Sequence, residues 1–487
     1  MSKPEADKEL ESGVADFLRR AETKLTEASA GFFFRTNNAR LLPSFDRGSD
    51  DDADEASKFK LGDTLGSGAF CEVKEITAIT LKRAPNAKDR FESGLIIPVH
   101  KQARNSDFGS DEIDEADFPT NLFQTKDEIR KYMSENVLRK DDGGLGSHPR
   151  YALKQVKMTS SLKQVELGLI DLSLEAKFLS CMNHSNIIKI RGVAGDPLSP
   201  NFGLVLDRLF MTLEDKMDMW KAEKRVANGT GPCACLFGTV DTKAIASLVF
   251  SAVTVAYDLS CALRHIHYLN LVYRDIKVCL HFVIRHIYGL VRLNNITCVF
   301  MNIKQKPENA GFDVRGDLKL FDFGFCKELV KSLYDEESGM YKLTQLTGSP
   351  PYMAPENFLG KPYGKPVDVF SFGVLVWEMI HCKLAFYGYK FLEYKERVVE
   401  GNYRPPINES LTPVVQELIK DCWAPDPKKR PTFERICLSL RSEYQELAKV
   451  EGEADPGGLS RSVRLSNKSV RSFRVHAKRH NEMSVFE

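Results

Sequence analysis

Apolar residues recur at helical spacing from Ala6 to Ala28, with Leu10, Val14, Phe17, Leu18 and Leu25 on one face. This predicts a short helix at the head of the chain, docked on the rest of the protein or frayed, followed by Gly31-Phe32-Phe33-Phe34 and an acidic linker from Ser49 to Glu55. From Phe59 the pattern turns to strand. Tyr151 to Val156 alternates, which puts Ala152 and Lys154 on the same face. Leu172 to Met182 reads as a helix with Phe178, Leu179 and Met182 toward a core. Leu204 to Leu209 reads as a buried strand and Ala244 to Leu269 as a long helix. Between Val278 and Lys306 the order fails: Val278 to Ile284 and Cys298 to Met301 have neither helical period nor strand alternation.

Three stretches read as insertions. The first runs from about Ala78 to Arg150 and holds a disordered-looking run at Ser106 to Glu115, a helical candidate at Lys126 to Arg139, and Gly143-Gly144-Leu145-Gly146. The second spans Trp220 to Thr242, and the third is Val278 to Lys306. Past Ala448, Arg461, Arg464, Lys468, Arg471 and Arg474 alternate with serines in a tail of solvated, disordered character. These boundaries divide the chain into an appendage at 1–57, a main domain at 58–447 and a tail at 448–487.

Composition narrows the class. With 487 residues, 43% hydrophobic and 28% charged, the chain can bury a large core, and a net charge of +1 offers no bulk attraction for nucleic acid. Eleven scattered cysteines do not suggest a disulfide framework, and Cys233-Ala-Cys235 lacks a second pair at zinc spacing. No signal peptide is visible. The nearest run of membrane length, Val278 to Ile303, is broken by Arg285, His286 and Arg292. The expectation is a soluble cytoplasmic protein with nuclear access open to it, no stable membrane insertion, no nucleic-acid partner, and an open oligomeric state.

The chemistry-bearing motifs fall in a fixed order. Leu65-Gly66-Ser67-Gly68-Ala69-Phe70-Cys71-Glu72-Val73 comes first, then Tyr151-Ala152-Leu153-Lys154. Tyr273-Arg274-Asp275-Ile276-Lys277, Leu320-Phe321-Asp322-Phe323-Gly324 and Gly348-Ser349-Pro350-Pro351-Tyr352-Met353-Ala354-Pro355-Glu356 come after them. Together they resemble the eukaryotic protein kinases, of serine/threonine type, leaning to the tyrosine-kinase-like group. The resemblance covers about Phe59 to Glu446, and it implies an α+β fold of two lobes: a five-stranded antiparallel sheet with one helix, over a mainly helical lobe, with ATP between.

The family's roles carry over residue by residue. Leu65, Gly66, Ser67, Gly68, Ala69, Phe70 and Val73 would cover the ATP phosphates, glycine allowing close backbone approach; the third glycine position holds Cys71. Ala152 and Lys154 would face the nucleotide, with Leu206, Asp207 and Leu209 at the adenine end. Glu175 is the expected partner of Lys154, and Glu166 is the competitor. Asp275 would accept the proton of the attacking hydroxyl, Lys277 would reach the transferring phosphate, and Asn309 and Asp322 would hold Mg2+. Asp368 should anchor the catalytic loop, and Glu356 should pair with Arg430. Arg274 suggests control by phosphorylation at Thr344 or Thr347. The partners implied are proteins bearing serine or threonine.

Val278 to Lys306 separates Lys277 from Pro307-Glu308-Asn309, so Asn309 is expected to lose its short spacing from Asp275. That leaves two rivals to an active kinase: a nucleotide-binding pseudokinase scaffold, and a non-catalytic interaction module. Excising the 29 residues restores Asp-Ile-Lys-Pro-Glu-Asn, and the piece contains no aspartate or glutamate. Valine codons begin with GT and one lysine codon ends in AG, so an intron retained in frame would give this pattern.

Overall fold

The computed structural model describes residues 19–20, 22–23, 25–26, 42–45, 58–68, 70–81, 125–140, 147–157, 162–229, 240–277 and 309–451. The expectations for Leu10 to Leu18, Ala69, Ser106 to Glu115, Val278 to Lys306 and the basic tail lie outside these residues.

The alternating segments form one sheet. Its strands are β1 (Ser44–Phe45), β2 (Lys58–Ser67), β3 (Cys71–Thr80), β6 (Tyr151–Val156), β7 (Ile190–Ala194) and β8 (Gly203–Asp207), and a small hairpin joins β4 (Leu138–Lys140) to β5 (Ser147–Pro149). The order is β1-β7-β8-β6-β3-β2. All neighbours are antiparallel except β1, which runs parallel to β7 with Ser44 opposite Val193. The expected sheet of five strands and one helix is therefore incomplete: the appendage supplies a sixth strand and the first insertion a second helix. A bare sheet edge exposes unpaired N–H and C=O groups, and β1 covers one. Val193 N–H donates to the Pro43 carbonyl at 3.0 Å and Gly195 N–H to the Phe45 carbonyl at 2.9 Å.

Packing explains why two residues suffice. Phe45 is fully buried among Ile76, Ile79, Tyr151, Leu153 and Val205, with its ring edge-on to Phe59 at 5.2 Å. Helix α1 (Lys126–Glu135) closes this core with Ile129 and Met133. It begins at a capping box, Glu128 N–H donating to Thr125 Oγ1 at 3.2 Å and Thr125 N–H to Glu128 Oε2 at 3.0 Å. Arg130 Nε on the same helix donates to the Ser44 carbonyl at 2.7 Å. Helix α2 (Leu162–Cys181) lies against the sheet through Leu169, Leu172 and Leu179, and Leu25 of the appendage is buried in that cluster.

The second half is mainly helical. Strand β9 (Met211–Thr212) leads into α3 (Leu213–Ala227), capped by Thr212 and Asp215. Trp220, expected to open a polar insertion, is 2% exposed inside this helix, because the cap and Met217 set a helical face that the ring completes. Helix α4 (Thr242–Tyr268) is long and apolar enough to cross a membrane by length and composition, although the sequence pattern pointed to Val278 to Ile303 as the nearest such run. In the fold it is the central core helix, with Ala256, Leu259, Ala262, Leu263 and Ile266 fully buried.

Strands β10 (Leu271–Val272) and β13 (Lys327–Glu328) pair, and β11 (Ala310–Phe312) lies between β9 and β12 (Leu318–Leu320). A hairpin of β14 (Tyr334–Asp335) and β15 (Met340–Tyr341) precedes a helical turn at Pro355–Phe358. Helices α5 (Pro366–His381), α6 (Pro413–Cys422) and α7 (Phe433–Glu451) complete the region, and α5 and α7 pack on α4. Glu356 and Arg430 form a buried two-pronged ion pair, Nη1–Oε1 at 2.6 Å and Nη2–Oε2 at 2.9 Å.

Candidate active site

Helix α4 ends at Tyr268, the backbone turns left-handed at Asn270 with φ +58°, and β10 carries the chain into the core. Asp368, fully buried in the first turn of α5, fixes the loop beyond β10. Its carboxylate accepts the Tyr273 N–H at 2.8 Å, the Arg274 N–H at 2.7 Å and His267 Nε2 at 2.8 Å. That grip holds Arg274 at φ +70° and turns Asp275, 2% exposed, toward the neighbouring strands.

Three side chains surround the Asp275 carboxylate. Lys277 Nζ bonds Oδ2, and Ser349 Oγ lies 3.4 Å from Oδ1. Asn309 Nδ2 donates to the Asp275 carbonyl at 2.7 Å and to Oδ2 at 2.9 Å. The expected displacement of Asn309 is not found: the chain returns at Asn309, and β11 and β12 hold it there. Phe321 N–H donates to the Asn309 carbonyl at 2.9 Å, which couples Asn309 to the strand ending just before Asp322. Asn309 Oδ1 is buried with no donor among the described residues. Next to a carboxylate, that lone amide oxygen suits a hard divalent cation.

Asp322, at φ +65°, faces the sheet. Lys154 Nζ lies 2.6 Å from Glu175 Oε2 and 3.2 Å from Asp322 Oδ1. Burial disfavours the ammonium, but the charges of Asp322 and Glu175 outweigh it and hold the Lys154 pKa above its ordinary value. Burial likewise opposes the Asp322 carboxylate, while Lys154, Lys277 and the Gly324 N–H keep its pKa low. Glu166, the competing partner, points instead to the appendage, 4.0 Å from Arg20 Nη2. Tyr273 and Phe323 meet edge-to-face at 5.3 Å, so the loop and the segment after Asp322 share one packed seam.

The glycine hairpin lies over this cluster. Gly66 is opposite Val73 and Ser67 opposite Glu72, and Val73 is in register with Lys154. The tip closes through Gly68 N–H to the Cys71 carbonyl at 2.7 Å. A Cβ added at Gly66 would meet nothing within 4 Å, which leaves open space for a ligand at that point. Leu65 is exposed. Ala152 pairs with Leu206, both buried, and Leu209 packs beside Gly311 at the entrance to β9. The Asp207 carboxylate is taken by Arg191 at 2.6 and 2.8 Å.

Three contributors were missed in the sequence. Lys157 Nζ donates to the Gly68 carbonyl at 2.5 Å and its N–H to the Phe70 carbonyl at 2.8 Å, fastening the hairpin tip. A Cβ at Gly168 of α2 would be 3.0 Å from Phe70 Cβ, so the hairpin and α2 are in contact there. Asp171 stands one helical turn before Glu175; burial, then the Asp322 charge, pushes its pKa up to about 7, with Lys154 pulling it back. Its i, i+4 relation to Glu175 was the available signal.

The two threonines do not meet Arg274 through their hydroxyls. Thr347 is buried and its Oγ1 donates to the Thr344 carbonyl at 2.9 Å. Thr344 is exposed. Arg274 Nε donates to the Phe325 carbonyl at 2.7 Å instead.

A sequence profile of the protein kinase domain matches residues 281–440, which includes Asn309, Asp322, Glu356 and Arg430. The chain is 30% identical over 196 residues to the serine/threonine/tyrosine-protein kinase HT1 of Arabidopsis thaliana, 40% of each chain. It is 26% identical over 290 residues to the serine/threonine-protein kinase STY17 of the same plant, 60% of this chain and 40% of that one. With the serine/threonine-protein kinase VIK of Arabidopsis thaliana the identity is 35% over 163 residues, 33% of this chain and 36% of that one. The matched stretches span 9% to 40% of the length of these and other curated relatives. Over these stretches the chain is similar to serine/threonine-type protein kinases.

Proposed function

We propose that this protein is an ATP-dependent kinase that transfers the γ-phosphate to serine or threonine hydroxyls of other proteins. The observation that carries the proposal is the convergence of Lys154, Glu175 and Asp322 on one side of the site and Asp275, Lys277 and Asn309 on the other. Phosphoryl transfer asks a protein chiefly to position reactants and to stabilise charge, and these are positioning and charge-bearing groups.

Asp275, with its backbone held through Asp368 and its carboxylate held by Lys277, Asn309 and Ser349, accepts the proton of the attacking hydroxyl. Lys277, beside it, offsets charge on the transferring phosphoryl group. Lys154, oriented by Glu175, binds the phosphates of ATP, and the backbone N–H groups of the glycine hairpin cover them. Asn309 Oδ1 and the Asp322 carboxylate would hold Mg2+, which neutralises phosphate charge when bound. Leu206, Asp207 and Leu209 border the adenine end.

The partners in this reading are proteins presenting serine or threonine, and the setting is cytoplasmic.

Incubating the purified chain with γ-labelled ATP, Mg2+ and casein, then hydrolysing the product, tests the proposal. Label in phosphoserine or phosphothreonine is expected. Label in phosphotyrosine alone would sink the specificity, and no label, with nucleotide bound, would sink the activity.

A further inference from the structure

Resting on the kinase reading above, we propose that the segment from Phe325 to Glu356, the activation segment in that reading, is held in its working position without phosphorylation, and that the Tyr363 hydroxyl stands where a phosphate would otherwise be needed. Tyr363 is thereby a positioning residue.

Arg274 is bound to neutral groups. Its Nε donates to the Phe325 carbonyl at 2.7 Å and its Nη1 meets the Tyr363 hydroxyl at 3.3 Å. The Tyr363 hydroxyl donates onward to the Thr344 carbonyl. A continuous line of hydrogen bonds therefore runs from the residue before the catalytic aspartate to the middle of the activation segment. A phosphate would make the same link by accepting from arginine. Two backbone hydrogen bonds with Tyr341, at 3.0 and 2.9 Å, fix the Tyr363 main chain, and its side chain is buried, the residue being 1% exposed.

The rest of the segment is tied down on both sides of that link. Gln345 Nε2 donates to the Gly360 carbonyl at 3.0 Å. Gly360 has φ +69°, and a Cβ there would come within 2.6 Å of Gln345 Oε1, so the amide lies flat on a site that only glycine leaves open. Asn357, 2% exposed, donates from Nδ2 to the Thr347 carbonyl at 2.8 Å, and its Oδ1 accepts the Thr347 N–H at 3.4 Å. Gly348, at φ +104°, passes so close over the catalytic loop that a Cβ would stand 2.5 Å from the Arg274 carbonyl. Ser349 then reaches Asp275. Apart from the Asp275 carboxylate, these ties use amide, hydroxyl or carbonyl groups, and none requires an added phosphate. The Asn357–Thr347 pair is buried and mutually satisfied, which makes that part of the segment rigid, while the Gln345–Gly360 tie lies at the surface.

The test uses the full chain freed of phosphate by a broad-specificity phosphatase, its mass checked. Hydrogen exchange reads the Leu346 and Thr347 amides, and transfer to casein is measured separately. Slow exchange of both amides and an undiminished transfer rate are expected. Fast exchange that slows only after rephosphorylation would overturn the proposal. So would an activity loss of about tenfold or more that rephosphorylation restores. Slow exchange in a chain that transfers in no phosphorylation state would remove the kinase reading and with it the working position, leaving only the order of the unphosphorylated segment. Tyr363→Phe, which keeps the ring, should lower kcat by about tenfold or more with the KM for ATP unchanged, because the Lys154 cluster is untouched. An unchanged kcat would refute the role of the hydroxyl. If that variant proves unfolded, the phosphatase experiment decides alone.

Discussion

Asn309 and Asp275, 34 residues apart in sequence, are hydrogen-bonded neighbours: Asn309 Nδ2 is 2.7 Å from the Asp275 carbonyl oxygen and 2.9 Å from its carboxylate. The pair closes the catalytic loop across the segment that parts Lys277 from Pro307, and the structure supplies both ends of that closure.

The intervening segment should therefore be dispensable. A chain lacking Val278 to Lys306 should fold, bind nucleotide and transfer phosphate at least as fast as the full chain, whereas Asn309→Ala in either should lose about a hundredfold in kcat. Sequencing the mature transcript asks separately whether those codons are expressed. An inactive deletion variant would show that the segment contributes to the site.

Lys154→Met should abolish transfer and should also destabilise the protein. Lys154 lies 2.6 Å from Glu175, whose side chain is 3% exposed, so removal strands a buried carboxylate. Losing one member of a buried pair costs about 3–5 kcal/mol, less whatever protonation of Glu175 recovers. A thermal melt of the variant at neutral pH matching wild type would contradict this.

Stability should fall with rising pH through Glu378. This fully buried residue accepts the Tyr352 hydroxyl at 2.6 Å and the Ala385 N–H at 2.9 Å. Burial raises its pKa from 4.5 to about 7, against those two hydrogen bonds. The folded value lies above the unfolded one, so the contribution is fully present below about 4.5 and is lost as pH rises through about 7. The full swing is about 3 kcal/mol. Glu378→Gln keeps an acceptor and removes the charge, so its advantage in melting temperature should be small near about pH 5 and largest above about pH 7. A difference that stays constant with pH would count against the assignment.

Phe45→Ala should cost about 3–5 kcal/mol, as for a large core side chain, even though the residue lies in an N-terminal appendage. Its side chain is fully buried against Ile76 and Tyr151. A chemical denaturation midpoint unmoved by the change would show that the sixth strand is not part of the folded core.

How much of this was legible depended on the kind of signal. The Lys154–Glu175 and Glu356–Arg430 pairs could be read in advance, because the resemblance to protein kinases puts those residues in a fixed order. Phe45 could not, since a two-residue strand has no period and its worth comes from α1, about eighty residues further on. Tyr363 was passed over because its link to Arg274 exists only in three dimensions. Asn309 was doubted on spacing alone, and spacing along the chain does not limit distance when strands return it.

The most direct test of the central claim compares the wild-type chain with Asp275→Asn for transfer of labelled γ-phosphate from Mg-ATP to casein, with nucleotide binding measured in parallel. The wild type should phosphorylate serine or threonine, and the variant should bind ATP equally well while losing about a hundredfold or more in rate. Equal rates in the two proteins would contradict the role of Asp275, and a wild type that binds Mg-ATP without transferring phosphate would contradict the account itself.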